Sequence, residues 1–104
     1  MDEKLSYKLY EDMHDLYKKI KKFYNPTRFF QMLTDSKGDG YGVILKLMEK
    51  NIHYGFKKLW KKGKLNLSVE ALIVEEYKDV IPSEIVEKFE KRLTDCGYIP
   101  KKKH

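Results

Sequence analysis

The chain has one cysteine, Cys96, among its 104 residues, which excludes an internal disulfide. A lone thiol fits a reducing compartment, so a cytoplasmic location is expected. Long apolar runs are also missing. No stretch approaches the ~20 apolar residues of a membrane helix, and the charged start "MDEKLSYKLY" is not expected to be a secretory leader. Arginine is scarce, since twenty of the 22 basic residues are lysine. That argues against sequence-reading of phosphates and bases, which favours arginine's planar fork. Zinc spacing is absent as well: there is no CxxC or HxxxH, and the two well-placed histidines, His14 and His53, are far from Cys96.

Catalytic chemistry is equally thin. Cys96 falls on an apolar helical stripe, where a cysteine behaves as a small buried hydrophobe, and no base has motif spacing to it. Glu75 with Glu76, and Glu84 with Glu87 and Glu90, sit at helix-surface spacing. Pairs such as Glu84–Lys88 and Glu87–Lys91 support a helix rather than proton transfer. No catalytic residue, metal ligand or cofactor is assigned, and the chain is read as a non-enzyme.

What is present is apolar periodicity. With 41% hydrophobic and 13% aromatic residues, the chain can bury a core and is too short for two. Leu5, Leu9, Met13, Leu16, Ile20 and Phe23 step by threes and fours, predicting a long amphipathic helix over about 3–24. "YNPTRFF" stops it, with Asn25 as cap and Pro26 as first residue of a second helix whose core face is Phe29, Phe30, Met32 and Leu33. Val43, Ile44, Leu47, Met48 and Ile52 resume the period. "YGFKKLWKKGK" predicts a short helix with Phe56, Leu59 and Trp60 on one side and Gly63 as its stop. Ser68 caps the next, with Val69, Leu72, Ile73 and Tyr77 sharing a face. Pro82 or Ser83 starts the last, lined by Ile85, Val86, Phe89, Leu93 and Cys96 and closed by Gly97. The expectation is all-α: one domain over 1–100, a bundle of five or six helices, with a disordered basic tail at 101–104.

"DSKGDGYG", residues 35–42, resembles the opening of a calcium loop. Counted from Asp35, Asp39 and Gly40 meet the fifth and sixth positions, but Lys37 and Lys46 occupy the third and twelfth, where ligand oxygens belong. The stretch also lacks the lysine–serine pair of a P-loop. It is read as a helix–helix turn, with anion capture at the helix start the weaker alternative.

Charge is segregated. Residues 1–16 carry five acids and two lysines, residues 17–64 thirteen basic residues and three acids, and residues 65–100 eight acids and four basic residues. Within the basic segment, Lys57, Lys58, Lys61 and Lys62 fall on one helix face, followed by Lys64, and Lys18, Lys19 and Lys22 repeat the arrangement. These lysines with Trp60 are the candidate binding surface. They suit an acidic protein partner, or alternatively a nucleic-acid backbone with Trp60 stacked on bases. The competing reading is a solvated lysine face over a buried Trp60. A helix-turn-helix over 68–97 is disfavoured by its acid-rich last helix.

The residues Gly55, Phe56, Leu59, Gly63, Leu65, Leu67, Ser68, Val69, Glu70, Ala71, Leu72, Arg92, Leu93, Gly97 and Tyr98 resemble the pattern of a small uncharacterised bacterial helical domain family. Asn66 departs from that family's usual acid. The resemblance covers about half the chain. It implies a helical fold and a bacterial or phage origin, and it brings no activity or site with it. The functional expectation is a non-enzymatic interaction module, an accessory subunit or inhibitor that docks to a larger protein, with phage or bacterial defence a compatible setting.

Overall fold

In the computed structural model, which describes residues 1–49 and 54–101, the first helix begins where Asp2 accepts the Leu5 N–H at 2.9 Å. This helix, α1 (Glu3–Ile20), buries Leu9, Met13, Leu16 and Ile20. It ends four residues short of the predicted boundary. The Phe23 N–H folds back to Ile20 O and the Lys22 N–H to Lys19 O, tightening the turn ahead of Pro26.

Helix α2 (Thr27–Ser36) starts one residue after Pro26, which itself occupies the cap position, and no side chain caps the helix. Asn25 therefore does not act as predicted; its carbonyl accepts the Thr27 N–H in the turn before. Phe30 also departs from the predicted core face. Leu33 is buried and Phe29 and Met32 pack against the core, whereas Phe30 is 43% exposed and lies against the Tyr17 ring at 5.0 Å.

The glycine-rich stretch is a helix–helix turn. Helix α3 (Gly40–Glu49) starts inside it. Asp39 Oδ1 accepts the Gly42 N–H at 3.0 Å and the Ser6 hydroxyl at 3.0 Å, while Ser6 Oγ accepts the Tyr41 N–H at 3.1 Å. The Asp39 carboxylate thus caps a helix and ties it to α1. Gly40 lets the two backbones meet: a Cβ there would stand 2.5 Å from both Ser6 O and Tyr10 N. Ile52, predicted on the α3 stripe, lies outside the described residues.

Helix α4 (Tyr54–Lys61) leads to a 3₁₀ turn at Leu65–Leu67, then α5 (Val69–Glu76) and α6 (Ser83–Asp95). Gly63 and Gly97 take φ of +68° and +84° and close α4 and α6 with the same device. Lys64 N–H bonds Leu59 O at 2.8 Å, and Tyr98 N–H bonds Leu93 O at 2.9 Å. Ser68 caps α5 as predicted, accepting the Ala71 N–H. Helix α5 is buried nearly all round, with Val69, Glu70, Ala71, Ile73 and Val74 inside, and α6 packs along it. The six helices form an all-α bundle, with no strand among the described residues. Its radius of gyration, 12.6 Å, is that of a compact chain of this length. Residues 102–104 of the predicted tail lie outside the described residues, but the Lys101 N–H is bonded to Glu75 at 2.9 Å.

Candidate interaction surface

The α4 helix decides where Trp60 goes. Phe56 and Leu59 are fully buried. At about 100° per residue, Trp60 stands about 70° off the line midway between those two, and Lys57 about 130° off it. Trp60 thus sits at the edge of the buried arc, where it is 47% exposed and borders the outward Lys57 and Lys61. The predicted grouping of Trp60 with Phe56 and Leu59 is corrected accordingly.

The lysines divide into subsets. Lys64 Nζ sits 5.1 Å above the Phe23 ring, pinning the segment after α4 to the turn after α1, next to Lys22. That contact sets Lys64 beside the turn that carries Lys22. Lys62 is exposed there and Lys58 half-buried. Lys18 and Lys19 are both exposed but point about 100° apart, so they form no single face, and Lys22 lies beyond the helix. Lys18, Lys19, Lys58 and Lys61 also occupy the last turns of α1 and α4, where positive charge complements the helix dipole.

A second feature, half-buried except at Tyr7, was not anticipated. Tyr7, Tyr10, His14 and Tyr17 form a ladder along α1, with successive ring centroids 5.8, 6.2 and 6.0 Å apart. The ladder continues to Phe29 and Phe30 of α2, and Lys21 Nζ lies 5.6 Å over the Tyr17 ring at the basic end. Its signal in the sequence was a second stripe at three-and-four spacing, next to the aliphatic one.

Elsewhere, polar groups hold the fold together. Glu70 and Arg92 pair in the core at 3.2 Å. The Tyr77 hydroxyl donates to Asp12, and Lys8 reaches both. The Tyr98 hydroxyl donates to Glu75 at 2.5 Å. Lys91 pairs forward to Asp95 at 2.8 Å, one turn on. Cys96 is half-buried at the end of α6, and burial, then Asp95, push its thiol pKa upward, which disfavours the thiolate. Among the described residues, no three His, Cys, Asp or Glu side chains gather as a metal site, and no helix is long and apolar enough to cross a membrane.

No protein-family model, curated protein or solved structure matches this chain.

Proposed function

We propose that this chain is a non-enzymatic interaction module, cytoplasmic and of bacterial or phage origin. It docks its basic end onto an acidic surface of a larger protein, as an accessory subunit or inhibitor. The observation that carries this reading is Trp60, a large ring 47% exposed beside Lys57 and Lys61. Tryptophan is the residue type most often found as an interface anchor, and surrounding lysines steer an acidic partner toward it. The same ring beside the same lysines favours one second reading, stacking on bases while the lysines follow a nucleic-acid backbone.

Trp60 is the only tryptophan, so its fluorescence reports directly on the surface. The test compares wild type, Trp60→Ala and Lys57→Glu/Lys61→Glu in affinity capture, followed by titration of the purified partner. A partner retained by wild type and lost by both variants, with a blue shift of Trp60 emission, supports docking. In parallel, anisotropy is read with duplex DNA, single-stranded DNA and RNA at about 50 and 200 mM salt. Nucleic-acid binding that collapses between those salts and is abolished by the charge reversal replaces the first reading with the second.

A further inference from the structure

We infer that the cavity between the α1–α2 turn and α4 binds a small amphiphilic carboxylate, with Arg28 as its counter-ion. The cavity measures about 300 Å³, at the lower end for small-ligand sites. Five helices wall it: Ile20 from α1, Phe29 and Met32 from α2, Leu47 from α3, Leu59 from α4 and Val69 from α5. These walls suit an apolar body.

The polar lining has one sign. Arg28 is the one formally charged side chain among the described lining residues, and none of them is an acid. Tyr24, Asn25, Thr27 and Ser68 add neutral polar residues to the lining, and the Ser68 hydroxyl is engaged with Leu65 O and the Ala71 N–H. Arg28 is exposed and belongs to the first turn of α2, which has no acid and no capping side chain. The surrounding segment, residues 17–64, carries thirteen basic residues against three acids, so the mouth favours an anion.

Volume and lining together specify the ligand. At about 30 Å³ per water-sized unit, the space holds roughly ten non-hydrogen atoms. That matches an unbranched chain of about eight carbons ending in a carboxylate. An ammonium head would meet Arg28 as a like charge.

The probe is octanoate, with octanol and octylammonium as controls, titrated into the isotope-labelled full chain and followed by amide chemical shifts. Octanoate is expected to saturate below about 1 mM, the weak range of so small a ligand. Shifts should concentrate at residues 25–32 and at Gly55, Leu59 and Val69. Octanol should bind at least about tenfold more weakly, and octylammonium should not saturate. Arg28→Gln, an exposed change, should weaken octanoate about tenfold or more while leaving octanol unchanged. Trp60→Ala should leave octanoate binding unchanged, separating this site from the docking surface. No saturation, equal binding of octanoate and octanol, an unaltered Arg28→Gln titration, or shifts spread over the lysines would each overturn the assignment.

Discussion

Arg92 Nη1 donates to Glu70 Oε2 at 3.2 Å across 22 residues of sequence, with side chains 6% and 0% exposed. The same guanidinium donates to Leu47 O at 3.0 Å and Met48 O at 3.1 Å. One side chain of α6 thereby neutralises an acid in the first turn of α5 and satisfies two carbonyls near the end of α3. Three helices are fixed in register by one planar group, which lysine's point charge would not reproduce.

Removing one partner strands the other's charge in the core. Arg92→Met is expected to destabilise by about 3–5 kcal/mol in urea unfolding. Combining it with Glu70→Leu should cost less than the two single changes added, because no buried charge remains. The double variant should still fall short of wild type, since the Leu47 and Met48 carbonyls lose their donor. Strict additivity would show that the pair is not coupled.

Gly40 and Gly42 should respond differently to alanine. At Gly40 the new methyl meets the α1 backbone at 2.5 Å, so α3 must move bodily; a loss of about 1–3 kcal/mol or more is expected. At Gly42 it meets the Asp39 carboxylate at 2.6 Å, a side chain that can swing away and forfeit its cap, for about 1 kcal/mol. Equal losses would contradict the close approach of α1 and α3.

Neighbouring aromatics on α4 should separate sharply in stability. Phe56→Ala empties a fully buried position and is expected to cost about 3–5 kcal/mol. Trp60→Ala should fall within about 0.5 kcal/mol of wild type, and Trp60 should be readily quenched by acrylamide. A large loss at Trp60 would place that ring in the core and remove the anchor of the proposed surface.

Alkali should loosen the contact between α1 and the end of α5. Burial, then the hydrogen bond to Asp12, push Tyr77 from 10.0 to about 12. Lys8 is likewise raised, by its hydrogen bonds to Asp12 and Tyr77. For each group the folded state holds the proton more tightly than the unfolded chain. The resulting stability is whole below about pH 10 and is lost as pH climbs toward about 12. Tyr77→Phe should flatten part of that decline when unfolding is measured across the window. An unchanged slope would mean that the hydroxyl is not the responsible group.

The helical architecture was legible in the sequence because its signals are local. The Leu9–Met13–Leu16–Ile20 stripe, Ser68 as a cap, and Gly63 and Gly97 as stops act within a turn or two, so spacing and residue type suffice. The turn at residues 35–42 was legible too, since Lys37 and Lys46 contradicted the ligand pattern. Arg92 could not be read this way, since its position on α6 says nothing of Glu70, Leu47 or Met48 until three helices converge.

The candidate surface divides along the same line. Segregation of charge into residues 17–64 is written in the sequence, but that Lys64, after α4, lies over Phe23, after α1, depended on the tertiary structure. Trp60 falls about 40° from Phe56 by helical period alone, so periodicity grouped it with the core. The amino-acid sequence by itself determined the all-α class, the aliphatic stripe that α1 buries, the cap at Ser68 and the stops at Gly63 and Gly97. Only the tertiary structure decided which edge of α4 is covered, that Gly40 is pressed against α1, and that five walls leave a space beside Arg28. Those outcomes depend on contacts between residues far apart in the chain, and no local propensity encodes them.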